Sequence, residues 1–428
     1  MGNLNYAPDE FKKSVNPIKV SPAIGAAYAL QGVKNVTPVY HAAPGCTFLS
    51  KVLLTRHFRE PVSIDGSDIK QAGIVYGGFE ELSAKIASIA TKQKPEIIAI
   101  VTSSVSELRG DDFRTVLNDL KEEHKLSQVC VVSTPDYSGG FAEGFSAAVV
   151  SLVEKFAIPG SVIEENMNIF PAPYMNCADV DEIKKIVKSF SLNPVVIPDI
   201  SISKDGAELK YRRMAGEGAS LDDIVRSARS GLSVSFGQVM KGPGDFLESK
   251  YNVTHRNLAY SYGINATDEL IHLLIDYTQN NNVPLLLKRE RARLVDLMID
   301  AHLHLSSRKV HIALEYDHAM AVKTALEEWG LDVDDTVVPF LPGKKQKTGS
   351  ARNGGLYLLE EKYTSSASQP DILIANSHGT PMAQKFNIPF LSMGFPVYDS
   401  FGGNLIGRTG YNGATSFLIE VANKWVHQ

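Results

Sequence analysis

Residues 94–104 read KPEIIAIVTSS. From Ile97 to Val101 no polar side chain interrupts the run. A strand with one wet face would alternate apolar and polar. A short unbroken run between Pro95 and a Thr-Ser-Ser stop reads as a strand buried on both faces of a parallel sheet. Such a strand needs helical neighbours in sequence, and the flanks supply them. Glu80–Lys92 has helical periodicity, and Arg109–Lys125 reads as a charged amphipathic helix. Gln128–Ser133 is a second buried strand, with Cys130 inside it as core packing. The glycine loop PDYSGGF (135–141) then leads into a helix over Ala142–Phe156. Upstream, Ala23–Gly32 reads as a helix closed by its glycine, and Asn35–Tyr40 as a strand. Strands alternating with helices predict a doubly wound α/β domain.

The pattern recurs twice. Residues 157–166, with Pro159 and Gly160, read as a linker. A second unit follows, with strands at 167–170, 194–198 and 232–238. Its helices are expected at 180–190 and 266–277. Cys177 falls in the loop before the first of these, with Asp179 as the expected N-cap. Pro284–Leu305 reads as a long amphipathic helix. A third unit has strands at 309–314, 371–375 and 390–393, a helix over 318–330 and a closing helix over 417–426. Residues 342–355, PGKKQKTGSARNGG, form a basic loop that reads as solvated. The expected division is 1–158, 159–283 and 284–428: three Rossmann-like α/β domains.

Composition narrows the function. The 428 residues carry a net charge of −5, 44% apolar and 21% charged side chains, as in ordinary globular proteins. Nothing basic and global points to nucleic acid. The N-terminal MGNLNYAPDEFKKSVNP lacks the apolar core of a signal peptide, and Tyr6 stands where N-myristoylation wants Ser or Thr. No apolar run is long enough to span a bilayer. Three cysteines, Cys46, Cys130 and Cys177, make no CxxC pair and predict a reducing, cytoplasmic setting without structural disulfides. There is no Walker A motif and no HExxH. His302 and His304 would lie on different sides of a helix, which argues against paired metal ligation.

The chemistry concentrates in residues 40–61, YHAAPGCTFLSKVLLTRHFREP. Gly45 would let the backbone turn before Cys46. Thr47 onward reads as a helix burying Phe48, Val52 and Phe58. Cys46 would then head a helix, where the dipole and unpaired N–H groups favour a thiolate suited to metal ligation or redox work. His41, His57 and Arg59 are near enough in sequence to add positive charge, and read equally as helix C-terminal charge and interface contacts.

Several stretches together resemble the β-type chains of nitrogenase component 1. They are NPIKVSPAIGAAYALQGV, PVYHAAPGCTF, RHFREPVS, VYGGFEELSAKI, KPEIIAIVTSSVSELRGDD and STPDYSGGFAEGF, then HGTPMAQKFNIPFLSMGFPVYD and GYNGATSFLIEVAN. The likeness is dense over 16–145 and thin over 200–370. It implies the three-domain fold of that family. The catalytic β chains give three cysteines to an eight-iron cluster at a subunit interface. The matching positions here are Ser21, Cys46 and Ser104, so two thiols are absent. A serine alkoxide binds iron only at high cost near neutral pH, because the hydroxyl is so weak an acid.

This pattern resembles the cofactor-assembly scaffold chains of the family, the NifN type or its vanadium counterpart VnfN. The resemblance implies that Cys46, with Gly45 beside it, completes a [4Fe-4S] cluster shared with a NifE-like α-type chain that gives the other three cysteines. It implies an α2β2 heterotetramer in which the partner mainly holds the cofactor precursor, iron–molybdenum or iron–vanadium. A NifH-like iron protein would supply electrons, and a NifB-like protein would donate the precursor. No stand-alone activity is expected. The alternative within the family is a subunit of a nitrogenase-like reductase, of the dark protochlorophyllide type or another, that accepts electrons from an iron protein. There the corresponding chain gives a carboxylate to the cluster, and Cys46 argues against it. A third reading is a binding module without metal.

Overall fold

The computed structural model describes residues 16–425, apart from 71–72, 74–77, 111–112, 114–116, 118–127, 205–214, 260–261, 342–346, 349–350, 366–368 and 404. The expected N-terminal arm and most of the expected 109–125 helix lie outside the described residues, as does much of the basic loop.

The first sheet runs β2-β1-β3-β4, all parallel, with β1 Val36–Tyr40, β2 Asp65–Gly66, β3 Ile97–Val101 and β4 Val129–Val132. Every residue of β1 and β3 is buried; β3 is the unbroken apolar run, while β1 buries Thr37 as well. Around it lie α1 Pro22–Gln31, α2 Pro44–Phe58, α3 Phe79–Lys92, α4 Ser104–Arg109 and α5 Phe141–Phe156. Helices α1 and α5 cross in near backbone contact. A Cβ on Gly25 would lie 1.8 Å from Phe141 O, and one on Gly144 1.8 Å from Pro22 O. Only glycine fits at either position.

The second sheet runs β6-β5-β7-β8, again parallel: β5 Ile163–Phe170, β6 Asn193–Val196, β7 Ser230–Phe236 and β8 Thr254–Leu258. Its helices are α6 Cys177–Lys188, α7 Leu221–Arg226, α8 Lys241–Tyr251 and α9 Ile264–Thr278, followed by the long α10 Leu285–Leu305.

The third sheet runs β11-β12-β10-β9-β13-β14. Its strands are β9 Lys309–Ala313, β10 Asp332–Val338, β11 Lys347–Thr348, β12 Ala351–Asn353, β13 Ile372–Ala375 and β14 Phe390–Ser392. All pair in parallel except the β11–β12 hairpin. Helices α11 Tyr316–Glu328, α12 Leu356–Ser365, α13 Thr380–Phe386 and α14 Gly410–Ala422 complete the unit. Helix α14 packs back on α10, α9 and α6.

Several boundaries differ from the sequence reading. The expected linker is partly strand, because β5 begins at Ile163 with exposed Glu164 and Glu165 before its buried half. Helix α14 starts at Gly410, seven residues before the expected Phe417. Helix α4 was hidden by the assignment of a helix from Arg109; α4 in fact ends there, closed by Gly110 at φ 74°. Cys177 is not in a loop. It is the first residue of α6, buried, with its thiol donating to Ile200 O at 3.4 Å. Asn176 is the N-cap, and Asp179 reciprocates as the third helical residue of a capping box.

Candidate functional site

In an open parallel sheet, binding crevices form beyond the carboxyl ends of strands, where the chain leaves β1 to one side and β3 to the other. Cys46 and Ser104 both sit at that edge of the first sheet. Cys46 follows β1 in α2, and Ser104 follows β3 as the first residue of α4. The two ends are tied together. His41 N donates to Val101 O at 2.9 Å, and Ser103 Oγ donates to His41 O at 2.9 Å. Ser21 caps α1, and Tyr40 OH donates to Ala23 O at 2.7 Å, so all three positions ring the end of β1.

Helix α2 begins at Pro44, three residues earlier than the sequence predicted, with Ala43 as N-cap. Proline is at home there, since the first helical N–H has no intrahelical acceptor. Gly45 therefore makes no turn; it lies inside the first helical turn. A Cβ added to it would meet nothing within 4 Å. Nothing within the chain requires glycine at this point, and the space above it is open.

Cys46 is exposed, while Cys130 and Cys177 are buried. Burial pushes the Cys130 thiol up to about 12, so it is neither nucleophile nor ligand. Thr47 turns inward, its Oγ1 buried without a hydrogen-bond partner, 2.7 Å from where a Gly66 Cβ would lie. The inner face of α2 is Thr47, Ser50, Leu54, His57 and Phe58. Phe48, expected in the core, is 69% exposed, and Val52 is only half-buried. The buried face instead carries small and polar residues, Thr47 and Ser50, which hydrophobicity alone does not mark as inward-facing, while Phe58 is buried as expected.

Phe48 does not stand alone. Leu49 beside it, Val105 and Leu108 on α4, and Tyr137 after β4 are all exposed, Leu108 by 76%. These five apolar side chains surround the Cys46 edge. All five follow the carboxyl ends of β1, β3 or β4, and exposed apolar side chains grouped at one sheet edge suit contact with another chain. The spacing Val105–Leu108 on a capped helix was the available signal, obscured by the misplaced boundary.

The Ser104 hydroxyl is committed within the chain. It donates to Asp136 Oδ2 at 2.9 Å and accepts from Asp136 N at 2.9 Å. The positive charge expected around Cys46 is largely missing. His57 is buried at the far end of α2 and accepts from Val397 N at 3.1 Å; burial lowers its pKa to about 4, so it is neutral. His41 is buried against Ser67, Phe79 and Phe113. Arg59 closes α2 in the left-handed region at φ 59° and donates to Tyr398 O, more than three helical turns from Cys46. Among the described residues, no group of three or more His, Cys, Asp or Glu side chains comes together to hold a metal ion.

The sequence model for nitrogenase component 1 type oxidoreductases matches residues 21–426. The chain belongs to the nitrogenase component 1 family. Within that family it is 33% identical to the nitrogenase iron-molybdenum cofactor biosynthesis protein NifN of Rippkaea orientalis, over 96% of this chain and 93% of the relative. It is 30% identical to the nitrogenase molybdenum-iron protein beta chain of Clostridium pasteurianum, covering 96% and 92%. Its backbone superposes on the solved structure "Nitrogenase Cp1 at pH 6.5" with a TM-score of 0.90 at 28% identity, covering 96% of this chain and 93% of that one. The α/β layout and its parallel sheets are those of a component 1 fold. No described helix is long and apolar enough to cross a membrane.

Proposed function

We propose that this chain is the β-type subunit of a NifEN-like scaffold on which a nitrogenase cofactor precursor matures. One observation carries the reading. The edge where the resemblance places three thiols in catalytic relatives holds one exposed thiol, Cys46, one hydroxyl already bonded to Asp136, and Ser21, which stands at the N-cap position of α1 without a side-chain capping bond. A cubane iron–sulfur cluster takes four protein ligands, so Cys46 serves as a single ligand and another polypeptide supplies three.

The residues fit that role. Cys46 projects from the head of α2, whose dipole favours an anion, although Pro44 has no N–H and Cys46 N already donates to Ala43 O at 3.1 Å. Open space over Gly45 lets a bulky group come close to the backbone. The surrounding Phe48, Leu49, Val105, Leu108 and Tyr137 fit an apolar partner chain, and their burial on association would exclude water from the shared cluster. When bound, the cluster supplies one-electron transfer; the chain's own residues position one iron and shield it.

A second exposed face supports the heterotetramer. On α10, Ile299 and Leu303 are exposed, with Arg289 and Arg293 toward the start and Asp296 and Asp300 toward the end. An antiparallel copy about a two-fold axis would pair opposite charges across that apolar strip.

The test is iron content of the chain purified with its α-type partner, read with electron paramagnetic resonance of the reduced complex. The reading expects a four-iron signal at the interface and almost no iron on the isolated chain. An eight-iron interface signature would make this a catalytic β chain instead.

A further inference from the structure

All three units contribute to one internal cavity. Tyr28 enters it from α1, His318 from α11, and Arg408 from the segment before α14. Its interior takes water centres over about 60 Å³, room for about five waters. Two stacked ring pairs give it flat walls. Phe141 and Phe395 lie with centroids 4.5 Å apart, and Tyr174 lies on His318 at 4.8 Å.

Three of the lining residues each carry a polar atom that the chain does not use. Tyr28 is 3% exposed and packed against Phe58 and Phe141, and its hydroxyl makes no hydrogen bond. His318 is also 3% exposed; its Nε2 lies 3.2 Å from Tyr262 OH, while Nδ1 has no partner. Arg408 is 5% exposed and commits Nε and Nη2 to Glu420 Oε2 at 3.2 and 2.9 Å, leaving Nη1 unused. None of the three atoms is among the partnerless polar atoms sealed from all access. Each therefore keeps surface in the cavity that its residue lines. In the acidic recess beside it, walled by Glu143 and Glu315, the partnerless Glu315 Oε1 is sealed. Gly394 keeps the space next to His318 open. At φ 85°, a Cβ there would lie 2.9 Å from Leu314 Cδ2 and 3.4 Å from His318 Nδ1.

Buried donors without acceptors are costly, so an occupant rich in acceptors is favoured. Its charge follows from the walls. Burial, with the Arg408 charge adding to it, lowers the His318 pKa to about 3, so the ring is neutral. Burial, reinforced by Cys177 and Asp179, keeps the Tyr28 hydroxyl protonated. The Arg408 charge is already met by Glu420, and Asp179, Glu315 and Asp317 share the walls, which opposes an anion. Asp179 already accepts from the backbone N–H groups of Asn176, Arg408 and Thr409, and Arg408 stands against a cation. A neutral, planar molecule with a carbonyl oxygen satisfies both the donors and the rings.

We propose that this cavity binds a small uncharged aromatic lactam or carboxamide, its carbonyl oxygen accepting from Arg408 Nη1 and Tyr28 OH, its N–H directed to His318 Nδ1 and its ring against Phe395. The site stands independently of the scaffold role and goes beyond it.

The probe is 2-pyridone, titrated calorimetrically into the purified full chain. Fluorobenzene is the flat control without a carbonyl, and benzoate the anionic one. Saturable one-to-one binding of 2-pyridone is expected, with each control weaker by about tenfold or more. Tyr28→Phe removes only a hydroxyl that no protein group uses. It should leave the thermal midpoint no lower and weaken 2-pyridone by about fivefold to tenfold. His318→Gln keeps a polar group near Tyr262 and loses Nδ1, and should weaken it by roughly threefold; should that variant fail to fold, Tyr28→Phe decides alone. Absence of saturable binding, fluorobenzene or benzoate binding as tightly as 2-pyridone, or affinity unchanged in Tyr28→Phe would each overturn the proposal.

Discussion

The Ser104 hydroxyl and the Asp136 main chain and carboxylate form a closed pair, each contact 2.9 Å long. It joins the segment after β3 to the segment after β4, at the edge where Cys46 projects. The serine is thus a structural tie between the two segments. Ser104→Cys should weaken that tie, since a thiol is a poorer donor and acceptor, at a cost of about 1 kcal/mol in the isolated chain. It should add no iron to the partnered complex while Ser21 remains serine. Chemical denaturation and iron analysis check the two halves separately.

Cys46 and Cys130 should respond oppositely to truncation. Cys46 is exposed, so Cys46→Ala should leave the unfolding midpoint within about 0.5 kcal/mol of wild type. The shared cluster should become labile, and cofactor maturation on the complex should fall. Cys130→Ala should cost about 1–2 kcal/mol of packing and leave the cluster signal unchanged. Iron content and the reduced-state resonance of both complexes decide the matter. An undiminished signal in Cys46→Ala, with no substitute ligand nearby, would remove the proposed role of the thiol.

The apolar edge yields a prediction about association rather than folding. Leu108 and Phe48 touch little within the chain, being 76% and 69% exposed. Leu108→Asp and Phe48→Asp should each change stability by no more than about 0.5 kcal/mol. Each should weaken binding of the α-type partner by about 2 kcal/mol or more, roughly thirtyfold, if these side chains are central in the interface. Sedimentation of mixed chains measures it. Tight association of both variants would place the partner elsewhere.

His57 makes stability depend on pH. Its folded pKa of about 4 lies below the ordinary 6.5, chiefly through burial. Above 6.5 neither state is protonated and the site contributes nothing to the slope. As pH falls from about 6.5 to about 4, the unfolded chain takes up a proton that the folded chain refuses, so stability falls, by on the order of 3 kcal/mol. The difference in unfolding free energy between wild type and His57→Asn should therefore shrink over that window. Urea titrations at pH 7 and pH 5 give the comparison; a pH-independent difference would contradict it.

The sequence alone determined the alternation of strands and helices in the first unit and the buried strands β3 and β4, because continuous apolar runs have few physical solutions. The glycines at 25 and 144 were legible as residues but not as a pair: their close approach exists only when α1 crosses α5. The short strands β2, β11 and β12 and the helix α4 went unseen, since each carries too few residues for a periodicity to register.

At the site, the resemblance singled out Cys46 and implied that Ser21 and Ser104 stand where catalytic β chains of the family have cysteines. Tertiary structure decided the rest. A three-residue shift in the start of α2 made Gly45 a helical residue with open space above it, and the packing of that helix left Phe48 outside and Thr47 and Ser50 inside. Distance along the chain made His57 a neighbour of Cys46; the helix carried it to the opposite end and buried it neutral. Glu143 and Glu315 are 172 positions apart, and only the docking of α11 against the head of α5 brings their carboxyls to one recess. Local pattern settles which elements form, because hydrogen bonding and burial periodicity are short-range. Which side chains share a site follows from how the sheets are docked, and that is set by packing between residues far apart in the chain.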